Sequence, residues 1–224
     1  ASLFDPLFST EGMPRVPAGL AAGIVQRVRA AGGLVIADEV QSGFGRTGSH
    51  MWGHRYVGMD PDLVTLGKPM GNGPPMSAVV TTEAIQTAFG SRNEFFNTFA
   101  GNPVSAAVGE AVLMEMDEKG LMARASGVGA AALAKFEEFA GRYDFIRSAK
   151  GAGLFLGLDF AIDGSPAPEL AKQVVEAMKA RGVLISKIGR HESVLKVRPP
   201  LAFSADELPI LLGALEESLD EVRG

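Results

Sequence analysis

Short apolar runs alternate along this chain with stretches whose apolar residues recur every three or four positions. That alternation predicts an α/β architecture with mainly parallel strand pairing. Segments 34–37, Leu63–Leu66 and Ala78–Thr81 read as short buried strands. Ahead of the first, Pro17 suits the opening turn of a helix with Leu20, Ile24, Val28 and Ala31 on one face, ended by Gly32 and Gly33. From 103 to 141 the pattern is helical and Ala-rich, with a break near Gly120. The texture then changes. Segment 145–160 is strand-like, with Gly151, Gly153 and Gly157 interleaved. A helix over 168–181 ends at Gly182, and strands follow at 183–186 and Val194–Val197. A last helix opens on a capping-box pattern, Ser204 with Glu207, and carries Leu208, Leu211, Leu212, Leu215, Leu219 and Val222 on one face. Pro209 falls in its first turns, which blurs its starting residue. The change of texture divides the chain into residues 1–108, connecting helices over 109–141, and a smaller C-terminal domain over 142–224.

Composition narrows the function classes. Hydrophobic residues are 46% and charged residues 21%, the mix of an ordinary globular protein. The net charge is −5 and the basic residues are scattered, so nucleic acid is not an expected partner. No apolar run reaches the length of a membrane span, so no membrane partner is expected. With no cysteine, disulfides and thiolate metal sites are excluded, and a cytoplasmic location fits. The chain opens on Ala1 and runs straight into an apolar segment, as a piece of a longer polypeptide would.

Several apparent motifs fail on inspection. Gly151-Ala-Gly153-Leu-Phe-Leu-Gly157 has one residue too many for a dinucleotide fingerprint and leads into a strand, not a helix. Gly67-Lys68 resembles the end of a phosphate loop, but Pro69 stands where Ser or Thr belongs. His50 and His54 have i, i+4 spacing without an evident third ligand, so they read as surface histidines and no metal is expected.

Two segments resist a bland reading. Asp38-Glu39-Val40-Gln41 follows a strand and runs into Gly43-Phe44-Gly45-Arg46-Thr47-Gly48. By itself this is an acidic turn before a glycine loop. Two carboxylates at a strand end suggest Mg²⁺ or acid–base work, yet no second acidic cluster follows. Then Gly67-Lys68-Pro69-Met70-Gly71 sets a lysine just past a second strand, with glycines on both sides that let backbone or a bulky ligand come close. In open parallel sheets ligands collect beyond the carboxyl ends of strands, where Asp38 and Lys68 both fall.

Together with Phe96-Asn97-Thr98-Phe99-Ala100-Gly101-Asn102-Pro103, these segments resemble the class III aminotransferases, pyridoxal 5′-phosphate enzymes of fold type I. The resemblance covers nearly the whole chain. It implies part of a large, mainly parallel α/β domain plus a C-terminal α/β small domain. It implies that Lys68 binds the cofactor covalently as a Schiff base and then, as a free amine, moves the substrate proton. Asp38 would keep the pyridine nitrogen protonated so that the ring acts as an electron sink. Val40 would pack on a ring face, Gln41 would hydrogen-bond the phenolic oxygen, and Thr98 would reach the cofactor phosphate of the other subunit, which implies a homodimer. Arg46 reads as structural. A complete member carries a comparable length of chain before the position of Ala1, holding the phosphate cup and a stacked aromatic residue.

The substrates implied are an amine or amino acid and a keto acid. Relatives place Arg three residues before a Pro pair to hold the substrate carboxylate. Here that position is Lys196, while Arg198 adjoins Pro199-Pro200, so either could serve. The segment 183–204 also resembles relatives that eliminate phosphate from amino-alcohol phosphates. Aminotransferase, phospho-lyase and a non-catalytic fragment are the three expectations carried forward.

Overall fold

The computed structural model describes residues 1–223, which divide into two compact units. The first comprises 1–7, 16–44 and 51–120; the second comprises 8–15, 45–50 and 121 onward. The division at Gly120 coincides with the break in the helical pattern, but segments 8–15 and 45–50 join the second unit from far away in sequence.

In the first unit a sheet runs in the order β1 (Ser2–Phe4), β2 (Val35–Asp38), β3 (Leu63–Leu66), β4 (Ala78–Thr81). The first three strands are parallel and β4 is an antiparallel edge. Strand β2 starts one residue later than its apolar run because Leu34 lies outside, 40% exposed, while Val35 and Ala37 are sealed. Helix α1 (Leu20–Ala30) buries Ala21 and Val25 with Val28 packed alongside, so its inner face is one residue out of phase with the predicted stripe. Gly19, at φ 82°, is the N-cap, and Pro17 lies outside the helix. A short turn of helix, α2 (Gly53–Tyr56), follows the loop after β2, and α3 (Glu83–Gly90) follows β4. Helix α4 (Pro103–Glu118) begins as its sequence dictates: the Asn102 side chain accepts from Ser105 N at 2.9 Å, and Pro103 occupies the first turn.

The second unit is a four-strand antiparallel path, β5 (Ile146–Ala152), β6 (Phe155–Ile162), β9 (Val194–Val197), β8 (Ser186–Ile188), with β7 (Ser165–Pro166) paired to β6. Helices α5 (Leu121–Arg142), α6 (Pro168–Ala180) and α7 (Leu208–Arg223) supply the core on one face. Leu154, Leu156, Leu158, Phe160, Leu195 and Val197 point into that core, as period-two alternation requires. Phe155, Gly157, Asp159, Val194 and Lys196 therefore belong to the other face. The strand expected at 183–186 forms over Ser186–Ile188 instead; Val183 and Ile185 pack on the core as part of the turn after α6. Half of the predicted capping box forms just ahead of α7: Ser204 N donates to the Glu207 carboxylate at 2.7 Å, but Ser204 Oγ donates to the same carboxylate at 3.0 Å, and Glu207 N turns to the Ser204 carbonyl at 3.3 Å.

Candidate functional site

In the first unit the parallel pairing of β2 and β3 sets Asp38 beside Thr65, two residues before Gly67. The Glu39 amide continues the ladder onto Thr65 O at 3.0 Å. Asp38 is half-buried. Its Oδ1 accepts from Val40 N at 3.0 Å and from the Thr65 hydroxyl at 3.4 Å, which fixes the carboxylate plane. Its second oxygen is committed to no partner among the described residues. Gly67 is buried in extended backbone, φ −176°, and a Cβ there would lie 3.6 Å from Val40 Cγ2, so Val40 covers the base of the lysine turn.

Lys68 opens a short 3₁₀ turn at φ 38°, in the left-handed region that a non-glycine residue enters only at a cost of roughly 1–3 kcal/mol. Its side chain is exposed and has no hydrogen bond or ion pair among the described residues. Glycine at 71 is required by close approach: a Cβ would meet Pro74 O at 2.2 Å. Gln41 is half-buried on the same turn as Val40. Asp38, Val40 and Lys68 are thus brought together at adjacent strand ends. Thr98 belongs to the same unit but lies in an exposed turn, where Asn97 Oδ1 accepts from Phe99 N and Ala100 N. Among the described residues no hydrogen bond or ion pair links that turn to Asp38 or Lys68.

Sequence reasoning missed the residue that anchors this turn. Glu39 is fully buried, and its carboxylate accepts from Ser42 Oγ (2.9 Å), Gly53 N (2.8 Å), His54 N (2.6 Å) and His54 Nδ1 (2.7 Å). Burial alone would push this carboxyl up, but the bonds from His54, Gly53 and Ser42 outweigh it and hold the group below its ordinary value. His54 is therefore not a surface histidine: it is 6% exposed and ties α2 to the loop after β2. His50 is exposed. Gly43 and Gly53 exist for this knot, since a Cβ at 53 would strike Ser42 Cβ at 2.4 Å and one at 43 the Glu39 carbonyl at 2.8 Å. Glu39 points away from Asp38's task. Of two adjacent carboxylates one is consumed by structure and one is left half-free.

In the second unit Lys196 is buried, with its ammonium 5.7 Å from the Phe155 ring centre. Strand β9 stops at Val197, so alternation does not extend to Arg198, which is exposed. Strand alternation therefore does not by itself set 198 on the face of 196. Arg46 is the second residue the sequence undersold. Its Nη1 donates to Pro199 O at 2.6 Å and Leu154 O at 3.4 Å, while its own carbonyl accepts from Leu154 N at 3.1 Å. Burial and then the neighbouring Arg198 charge bring its guanidinium down to about 10. The Gly151–Gly157 run is explained here as well: a Cβ at Gly153 would hit the Thr47 backbone at 2.4 Å.

Comparisons with known proteins identify the family. The sequence profile of the family "Aminotransferase class-III" matches residues 1–219. The chain is 39% identical to the alanine–glyoxylate aminotransferase 2-like protein of Drosophila melanogaster, over 99% of this chain and 46% of that protein. It is 34% identical to human mitochondrial alanine–glyoxylate aminotransferase 2, over 97% of this chain and 43% of that protein. Among solved structures, a phospholyase from Arthrobacter in complex with phosphoethanolamine superposes with a TM-score of 0.95 at 55% identity, covering 97% of this chain and 52% of that one. The chain spans about half the length of the relatives it matches.

Proposed function

Because the chain belongs to the class III aminotransferases, we propose that it carries the lysine half of a pyridoxal 5′-phosphate site that moves an amino group between an amine or amino acid and a keto acid. The observation that supports this most is the pair of uncommitted groups on neighbouring strand ends: the Lys68 amine and the second Asp38 oxygen. The residues suit the cofactor. A fixed carboxylate with one oxygen to spare matches a pyridinium N–H, and an unpaired lysine at a glycine-lined strand end matches an aldehyde. When bound, the cofactor supplies an electron sink next to the substrate carbon. Asp38 holds the proton on the ring nitrogen, where Asn would leave the charge uncompensated. Val40 would pack against the ring and Gln41 would donate toward the phenolic oxygen. Lys68 carries the proton between substrate and cofactor carbons, a task for its uncharged form. Thr98, exposed on its turn, is free to serve a neighbouring subunit, and a homodimer with shared sites is part of the proposal. So is a cytoplasmic location, which fractionation must test, since the human relative is named mitochondrial. No helix among the described residues is long and apolar enough to cross a membrane. In the second unit, the end of β9 with Lys196 and Arg198 receives the acidic group of the substrate.

Borohydride reduction of the full enzyme should fix pyridoxal to the peptide containing Lys68, and labelling of another lysine instead would refute the assignment. A second reading has specific support: the structure sharing 55% identity holds phosphoethanolamine. Elimination of phosphate from an amino-alcohol phosphate would use the same Lys68 and Asp38 and needs no acceptor. Omitting the keto acid separates the two. Dependence on it supports transfer, and phosphate release without it supports elimination.

A further inference from the structure

Glu39 lies between Asp38 and Val40, so whatever fixes residue 39 fixes the residues on either side of it. Its backbone is held in both directions. The Glu39 amide donates to Thr65 O on β3 at 3.0 Å, and the Glu39 carbonyl accepts from Gly43 N at 3.0 Å. Its side chain is held harder. Oε1 accepts from His54 N and His54 Nδ1, and Oε2 accepts from Ser42 Oγ and Gly53 N, all within 2.9 Å. A carboxylate offers about four acceptor positions, and here all are taken, so the group can neither swing nor serve a ligand. The ionised carboxylate only accepts, which puts the hydrogen of the His54 bond on Nδ1. Residues 45–50, between the two sides of this knot, belong to the second unit, so the knot closes that excursion of the chain at its base.

Asp38 takes its aim from this anchor. Its Oδ1 accepts from Val40 N at 3.0 Å, and that amide belongs to the Glu39–Val40 peptide. One peptide plane is therefore locked through its carbonyl by Gly43 and orients Asp38 through its amide. Ser42 Oγ, already on the Glu39 carboxylate, also reaches Asp38 O at 3.4 Å. A turn that had only to leave β2 could bury an apolar side chain at 39, since apolar replacement of a buried ionic group is often neutral or stabilising. A buried anion with four donors does something that apolar packing does not: a fully satisfied polar network fixes direction. We propose that Glu39, with His54 as its principal donor, is a positioning residue for the cofactor half-site, setting the angle at which the Asp38 carboxylate meets the ring nitrogen and Val40 meets the ring face. Glu39 touches neither cofactor nor substrate and acts through its two neighbours. This rests on the reading of Asp38 as the partner of the ring nitrogen.

The full-length holoenzyme tests this through signals that a merely stabilising knot would not move, each variant being compared as folded protein well below its melting temperature. Glu39→Gln should lower kcat by about 10- to 100-fold while KM changes far less. It should also alter the circular dichroism of the bound cofactor's visible band, which reports how the ring is held. His54→Leu removes the Nδ1 bond and should show a smaller loss in the same two signals. His54→Asn returns an N–H near the position of Nδ1 and should recover most of that loss. A lowered melting temperature with kcat and the visible band unchanged in folded Glu39→Gln would overturn the proposal, and so would equal losses in the two His54 variants. If Glu39→Gln does not fold, the His54 pair decides alone. Asp38→Asn is measured alongside. If it leaves the band and turnover untouched, the reading of Asp38 fails and the proposal falls with it. A response to Asp38→Asn with none to Glu39→Gln sinks the positioning role alone.

Discussion

The two units differ in how much of their apolar surface they bury for themselves. The second closes 22 buried residues into one cluster around Phe136, Phe160 and Leu215, whereas the first gathers five, Ala21, Val25, Val35, Ala37 and Met59. The contrast on the outside runs the other way. Phe95, Phe96 and Phe99 are 74%, 83% and 80% exposed, and both Val79 and Val80 on the edge strand β4 are more than half exposed. Adjacent residues of a strand face opposite sides, so β4 is uncovered on both. A sheet of four strands with so little covering it is built to be finished by more protein, while the second unit is already a complete layered fold. The chemistry proposed above falls in the unfinished unit, and that is physically reasonable: a lysine and a carboxylate left half-satisfied call for neighbours beyond those described.

The largest effect should come from the site and leave the folds alone. Lys68→Ala should lower turnover of the full enzyme by about 10²–10⁴-fold or more and abolish covalent cofactor attachment. Because the side chain is exposed and without a hydrogen bond or ion pair among the described residues, thermal unfolding should barely move, the φ of 38° being strained equally in alanine, which keeps the Cβ. A large loss of stability would show that Lys68 is structural. Next in size is the contrast of cores. Phe136→Ala, at a fully buried position, should cost the second unit about 3–5 kcal/mol in chemical denaturation. Replacing Phe96 and Phe99 with Ser should cost nothing measurable and should reduce self-association of the 224-residue chain, read by light scattering. Equal costs at the two places would break the comparison.

A smaller effect, about 1–3 kcal/mol, is expected where the first unit spends its one fully buried carboxylate. Glu39 is held below its ordinary value in the folded state, so its contribution to stability is present above the unfolded value, about 4.3, and is lost as pH falls through the folded value. Melting of the first unit should therefore weaken on acidification below about pH 4. Glu39→Gln should be less stable at neutral pH and should show a flatter profile, because one of its two oxygens becomes an N–H facing the donors Gly53 N or His54 N. An unaltered acid profile in the variant would remove Glu39 from this role.

These expectations show where the chain could be read directly and where it could not. Strands Leu63–Leu66 and Ala78–Thr81 and the helix break at Gly120 lie within their own local patterns, and periodicity finds them. Asp38 and Lys68 could be singled out because one ends a strand and the other lies just past one, and strand ends are a local signal. Ser2–Phe4 has too few residues to show a period, and in α1 the small Ala21 is buried while the larger Leu20 is exposed, a choice that hydrophobicity alone reverses. The Glu39–His54 knot and the Arg46 clasp were not legible for a deeper reason. Their partners lie 15 and 108 residues apart in sequence, and nothing local says that Gly53 must leave room for Ser42 or that Gly153 must leave room for Thr47.

The smallest predicted effect separates glycines that serve this long-range packing from those that do not, and it does so on one helix. Gly127 and Gly129 both lie inside α5, two residues apart. A Cβ at Gly127 would meet nothing within 4 Å, whereas one at Gly129 would lie 2.1 Å from the Gly153 carbonyl oxygen. Helix propensity by itself favours Ala over Gly by about 0.5–1 kcal/mol at either position, chiefly through the entropy of the unfolded chain. At Gly127 that term acts alone, so Gly127→Ala should stabilise the second unit by about that amount. At Gly129 the backbone of the turn before β6 must retreat, which pulls on Gly153, Thr47 and the Arg46 clasp. Gly129→Ala should therefore destabilise despite the identical change in propensity. Denaturant midpoints for the two variants, measured side by side with unchanged slope, give opposite signs if this packing is what holds Arg46 in place. Two stabilising substitutions would mean that the junction is loose enough to yield, and the second unit would then be less finished than its core suggests.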